Sequence, residues 1–201
     1  VGAIEREVSG VSVVSPEIRT IGQLAVGNLN WNCSLLGEGP DYLTLRQWPL
    51  ADGAMFTEQD VRGATKVAII GKTTAKQLFS EEDPVGQIIR IKNVPVKVLG
   101  ILTPKGLSIM GTDQDDVVIM PIRALQRRIT GNTDVGLVWI AAGRTEDVPK
   151  MIADVPLGAR GHPIHLIDRP DENPNLAFQL LDLADTIATW RDADQRVLIH
   201  C

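Results

Sequence analysis

Between residues 66 and 102 the chain carries a strand, a helix and a hairpin in unbroken succession, and this order restricts the fold more than any other feature. Lys66 to Ile70 is an apolar run closed by Gly71, of the length expected for a buried strand. Thr73 opens a helix whose apolar side carries Ala75, Leu78 and Phe79, and Asp83-Pro84 followed by Val85-Gly86 turns the chain. Ile88 to Ile91 reads as a strand with Arg90 facing away from the core. Lys92-Asn93 reads as a turn, and Val94 to Leu102 as a second strand with Gly100 at a candidate bulge. Such an alternation predicts an α+β fold of small mixed β-sheets with short helices.

The flanks extend this grammar. Val8, Val11, Val13 and Val14, broken at Gly10, predict a strand that stops at Ser15-Pro16. Asn28 to Asn32 is polar and turn-rich, and Asp41 to Trp48 sets Tyr42, Leu43, Leu45 and Trp48 among polar residues. Thr57 leads a helical turn with Glu58 and Asp60 near its positive end. After a Gly- and Asp-rich loop from Thr103 to Asp116, Val117 to Met120 reads as a strand stopped by Pro121. Residues 122 to 129 then form a short amphipathic helix. Ile122, Leu125 and Ile129 lie on one side, Arg123, Arg127 and Arg128 on the other, and Gly131-Asn132 ends it.

Composition narrows the function classes. With 44% apolar and 22% charged residues, the 201-residue chain has the make-up of a folded protein. Aromatics at 4% leave no stacking platform for single strands, and a net charge of −5 without clustered Lys or Arg excludes a phosphate-binding footprint. Nucleic acid is therefore not an expected partner. Cys33 and Cys201 form at most one pair, and their spacing defines neither a disulfide framework nor a metal site. No apolar run approaches the ~20 residues that span a bilayer. The chain starts at Val1 without a signal-like segment, which suggests a piece excised from something longer, with any membrane helices lying outside it.

Three clusters invite a chemical reading. Asp113, Asp115 and Asp116 could offer oxygen ligands to Ca²⁺, but the glycine-then-glutamate spacing of a calcium-binding hand is missing, so a solvated turn-forming loop is expected. Gly71-Lys72-Thr73 follows a strand and opens a helix as a phosphate loop does. That loop needs a glycine five residues earlier to give its backbone donors room, and Lys66 stands there instead. Residues 1 to 135 hold no His, and no Ser or Cys there has an evident base beside it, so no catalytic, cofactor-binding or metal-binding residue is assigned in this stretch. His162, His165 and His200 read as loop or strand-end histidines without a metal partner.

An ordered set of motifs carries a family resemblance. Gly53-Ala54-Met55-Phe56-Thr57, Lys66 to Gly71 with Leu78-Phe79, and Asp83-Pro84-Val85-Gly86-Gln87 with Ile89-Arg90-Ile91 come first. Val98 to Leu102, Gly111 to Asp116, and Met120-Pro121-Ile122 through Arg128 follow in the same order. Over about residues 1 to 135 the chain resembles the extracytoplasmic core domain of MacB-type ABC transporter permeases. The resemblance implies a non-catalytic domain on the periplasmic face of the bacterial inner membrane, between two transmembrane helices that the sequence does not include. It also implies coupling of ATP-driven motion to export, or to handling of a lipoprotein, peptide or drug. The implied partners are a periplasmic adaptor or substrate protein, with a homodimer as one arrangement of the full transporter. The ATPase is then a separate domain or subunit, and no cofactor is expected in this chain.

Residues 136 to 201 depart from that pattern. A strand from Val135 to Ala142 precedes a loop-like stretch, a short strand from Ile164 to Ile167, and an amphipathic helix from Leu176 to Trp190. Asp168-Arg169-Pro170, this helix and Val197-Leu198-Ile199-His200-Cys201 resemble the central stretch of dual-specificity protein phosphatases. By that resemblance Cys201 would be the thiolate nucleophile and Asp168 the general acid. The phosphate loop that would follow Cys201 is not in the sequence, so such a fragment is expected to be inactive as it stands. Three accounts of this segment compete: a truncated phosphatase segment joined to a permease fragment, a divergent permease ending of strand-helix-strand form, and a phosphatase with an unusual N-terminal extension.

Overall fold

The computed structural model describes residues 8–108, 111–148, 150 and 164–166. Contacts divide the chain into a body at Pro16–Gly136 and a second unit formed by the described parts of Val1–Ser15 and Leu137–Cys201.

In the larger body the strands are β1 (Val11–Val26, of which residues 16–26 belong here), β2 (Leu29–Glu38), β3 (Leu50–Gly53), β4 (Val67–Ile70), β5 (Ile88–Ile91), β6 (Val94–Leu102) and β7 (Val117–Pro121). Six of them close into a ring. β1 pairs antiparallel with β2, β2 parallel with β7, β7 antiparallel with β4, β4 parallel with β6, β6 antiparallel with β5, and β5 antiparallel with β1. Closure removes the open edges that an isolated sheet would leave unpaired. β3 adds to the far end of β6, in the register Leu50↔Leu102.

Turn chemistry sets much of this register. Gly27, with φ +55, makes the tight link that pairs Val26 with Leu29. Lys92 and Asn93, both at positive φ, form the two-residue turn between β5 and β6 that their sequence predicts. The bulge expected near Gly100 is present: the β4–β6 pairing steps from Ala68↔Val98 to Ile69↔Gly100. Leu24, Leu35, Ile69, Ile89, Ile91 and Ile119 of the ring strands are fully buried, each such side chain stabilising the fold by roughly 1.5–3 kcal/mol.

One boundary differs from expectation. β1 does not stop at Ser15-Pro16 but runs through them to Val26. The β1–β2 ladder begins only at Ile18, so the missing N–H of Pro16 removes no bond from that ladder.

The helices are short: α1 (Tyr42–Leu45), α2 (Glu58–Gly63), α3 (Lys72–Phe79) and α4 (Ile122–Leu125), which continues as a wider π turn over Gln126–Thr130. α2 begins with a capping box, Thr57 and Asp60 each bonding the other's backbone N–H. α3 buries Ala75, Leu78 and Phe79, the predicted apolar side, and contacts β2. α4 also rests on β2, where Gly37 leaves room for Ile122 and Leu125. The fold is thus α+β, with a mixed sheet and short helices.

In the second unit, β8 (Leu137–Ala142) pairs parallel with β9 (Ile164–Leu166). Val8 and Ile140 form its small core with Val11, Val14, Val138 and Ala142. Ser12 Oγ donates to the Ala141 carbonyl at 3.1 Å and Gly143 N–H to the Gly10 carbonyl at 2.9 Å. Asp168, Cys201, His162, His200 and the helix predicted at 176–190 lie outside the described residues; His165 falls in β9, opposite Trp139.

Candidate functional site

The loop from Thr103 to Asp116 and the start of α3, some forty residues apart in sequence, meet in the structure. Thr73 Oγ1 donates to Asp113 Oδ2 at 2.7 Å, and Thr74 Oγ1 donates to Asp116 Oδ1 at 3.1 Å. Asp116 Oδ1 also accepts from the Trp31 indole N–H at 2.7 Å. Asp115, itself buried, accepts from the backbone N–H of Lys105 at 2.8 Å and of Gly106 at 2.9 Å. Asp113 further accepts from Asp115 N–H at 2.8 Å. The three carboxylates expected to sit in a solvated loop are instead a clasp: Asp113 and Asp116 hold side chains of other segments, and Asp115 holds the start of its own loop, all by charge-assisted bonds.

This arrangement explains why Gly71-Lys72-Thr73 resembles a phosphate loop yet has no room for one. Gly71 N–H is committed to the Val117 carbonyl at 2.8 Å, and a Cβ at Gly71 would fall 2.2 Å from the Asp115 carbonyl oxygen. The positive end of α3 faces Asp113 and Asp116, so the favourable anion at that helix start is part of the protein. Cys33 lies buried beside Thr74 and Asp116; burial first, and then the Asp116 charge, push its thiol up to about 12. A thiol held neutral in this way is no nucleophile at physiological pH.

A second hub joins the same loop to the segment that follows α1. The Trp48 indole N–H donates to the Thr103 carbonyl at 2.7 Å, while Thr103 N–H and hydroxyl both donate to the Pro49 carbonyl. Lys105 Nζ sits 4.5 Å from the centre of the Trp48 ring and donates to the Arg46 carbonyl at 3.3 Å. Desolvation in this corner, then the Arg46 charge, pull Lys105 down to about 8, against the opposing charge of Asp115. Beside the hub an open groove of about 480 Å³ is lined by Pro40, Leu43, Trp48, Pro49, Leu50 and Met55 among others, without a titratable side chain. Sequence alone marked the acidic loop; it gave no sign of Trp31, Trp48 and Lys105 as its anchors, because their partners lie 55 to 85 residues away.

Within Pro16–Gly136 the described residues thus form an internally bonded body. Its fold is similar to that of extracytoplasmic domains of ABC transporters. The periplasmic region of MacB from Actinobacillus actinomycetemcomitans superposes with a TM-score of 0.55 at 26% identity, over 63% of this chain and 56% of that one. The extracellular domain of the transporter YknZ from Gram-positive bacteria gives a TM-score of 0.63 at 21% identity, over 75% of this chain and 76% of that one, a likeness of fold. Residues 1–156 match the MacB-like periplasmic core domain, and the chain belongs to that family: it is an extracytoplasmic domain of a MacB-like ABC transporter permease.

Curated relatives agree. A macrolide export ATP-binding/permease protein MacB of Syntrophobacter fumaroxidans is 43% identical over 132 residues, 65% of this chain and 18% of the relative. That of Rhodopirellula baltica is 35% identical over 176 residues, 86% of this chain and 25% of the relative. The pyoverdine export ATP-binding/permease protein PvdT of Pseudomonas aeruginosa is 37% identical over 129 residues, 63% of this chain and 20% of the relative. The chain thus spans about a fifth to a quarter of the length of these relatives.

Proposed function

We propose that this domain is non-catalytic and transmits ATP-driven motion of its transporter to an export step, through contacts with a periplasmic adaptor or a substrate protein. The observation that carries the reading is the closed strand ring. Six strands pair in a cycle around fully buried Leu and Ile side chains, and close-packed interiors of this kind have low compressibility and move as one body. The role is assigned to the module at about residues 1–135, with residues 136–201 as an appended segment. The relatives' names, macrolide and pyoverdine export, favour a small-molecule cargo such as a drug, with lipoprotein or peptide as further candidates. No residue of this chain is given a catalytic role: the carboxylates of the acidic loop hold backbone and hydroxyl donors, and Cys33 is buried.

The test is to excise the domain from its parent transporter and measure ATP hydrolysis and export separately in proteoliposomes. The expected result is hydrolysis retained and export lost. Export at the original rate without the domain would refute the reading.

A further inference from the structure

We infer that the arginine face of α4 and its π turn is a docking surface for a carboxylate-rich segment of a partner protein; the inference rests on reading the domain as a partner-contacting module. Arg123, Arg127 and Arg128 are all exposed within two turns, and none of the three forms a salt bridge with a described residue. The opposite side of the helix is anchored: Ala124 and Leu125 are fully buried, and Ile122 and Ile129 nearly so. The three guanidinium groups are thus presented on a rigid base.

Ordinary helix electrostatics accounts for only part of this placement. Arg127 and Arg128 lie at the C-terminal end, where the helix dipole favours cations. Arg123 is the second residue of α4, at the positive end, where a cation is disfavoured. Arg123 and Arg127 also stand at i and i+4, a spacing that sets like charges against each other. Both penalties disappear when anions are bound.

Arg123 belongs to the α-helical turn Ile122–Leu125, and Arg127 and Arg128 to the π turn Gln126–Thr130 that continues it. Here Gly131 N–H donates to the Gln126 carbonyl at 2.8 Å, with Gly131 in a left-handed conformation at φ +74. Gln126 Nε2 holds the following segment through the Thr133 carbonyl at 3.0 Å. π turns of this kind recur at functional sites.

The chemistry of the occupant follows from charge and from what is missing around the cluster. Guanidinium forks match carboxylates two bonds at a time. None of the large exposed apolar side chains among the described residues, Ile21, Leu29, Ile88, Leu107 and Val135, lies on this helix, so it lacks the aliphatic anchors by which a basic helix settles into a bilayer. The whole chain is acidic at −5, so attraction to a polyanion has to come from such a local concentration of cations.

The experiment measures fluorescence anisotropy of dye-labelled poly-L-glutamate against the chain at low salt. The wild-type chain should bind, with affinity falling steeply as salt rises. Reversal of all three charges (R123E, R127E and R128E together) should weaken binding at least tenfold. The control reversal R90E, K92E and K97E on β5, its turn and β6 should change it less than twofold. Replacement by three lysines should cost about threefold, because charge stays and the fork is lost. If the triple reversal melts early by circular dichroism, the single variants R123Q, R127Q and R128Q replace it, each expected to weaken binding two- to fourfold. Absence of wild-type binding, equal losses in the two triple reversals, or binding to phosphatidylglycerol vesicles but not to polyglutamate would each overturn the inference. This readout involves no ATP turnover, so its failure and that of the excision test are separable.

Discussion

Replacing Gly71 by alanine is the perturbation that most sharply separates a packing role from a phosphate-binding one. Gly71 has φ −76, so its backbone conformation suits any residue, and removing a glycine would by itself stabilise by about 0.4–1 kcal/mol through the unfolded chain. The added Cβ, however, would sit 2.2 Å from the Asp115 carbonyl oxygen, 2.8 Å from its carbon and 3.1 Å from Val117 Cγ1. The first two are backbone atoms and cannot swing aside as a side chain can. Overpacking of this sort costs about 1–3 kcal/mol. Displacing Gly71 from Asp115 and Val117 also endangers the Gly71 N–H bond to Val117, worth about 1 kcal/mol. The net expectation is a loss of about 2–3 kcal/mol, a fall in Tm of roughly 5–10 °C for a chain of this size. Differential scanning calorimetry of the purified chain reads it directly. Gly63→Ala serves as control: its Cβ would approach only the Thr65 hydroxyl, at 3.3 Å, and it closes α2, so a neutral or slightly stabilising effect is expected. A Gly71→Ala chain that melts at or above the wild-type temperature would refute the clasp geometry.

Three further outcomes follow from individual groups. Burial raises the folded-state pKa of Cys33 to about 12 from 9.0, so the folded state retains a proton that the unfolded state gives up. Its stabilisation is complete below pH 9 and is lost as pH climbs toward 12. With Cys201→Ser, the remaining thiol should resist Ellman's reagent at pH 8 until urea unfolds the chain; rapid labelling of the native protein would contradict the burial. Thr57→Ala removes one arm of the α2 capping box and should cost about 1 kcal/mol. The Thr57 backbone and hydroxyl bonds hold Asp60 below the usual carboxylate range, so its stabilisation is present above pH 4 and lost on acidification; a pH titration of Tm in the alanine variant should show a weakened acid limb. Incubation with a generic aryl phosphate should give no hydrolysis, and turnover that disappears on Cys201→Ser would restore the phosphatase reading of the C-terminal segment.

Local structure in this chain is legible wherever a few neighbouring residues decide it. Lys92-Asn93 between apolar alternations specifies a two-residue hairpin turn, and Thr57 with Asp60 three residues on specifies a helix start. Pro16 misled for the same reason: a local rule stops strands at proline, but the ladder here begins two residues later. The ring closure is not legible. It depends on pairings such as Ser34↔Val117 and Ile69↔Ile119 between distant segments that share only apolar character. The acidic loop was visible as a cluster, yet its function as a clasp depends on Thr73, Thr74 and Trp31, hydroxyls and an indole with no periodic signal of their own. The π turn after Leu125 likewise leaves no mark in a sequence that fits an ordinary amphipathic helix.

The most direct test of the central claim is amide hydrogen exchange on the parent transporter with and without ATP. A rigid body that passes motion to a partner predicts unchanged protection in β4, β6 and β7, with changes confined to its contact surfaces, the arginine face of α4 among them. Identical exchange at every site in the two states, or opening of the ring strands themselves on ATP binding, would contradict it.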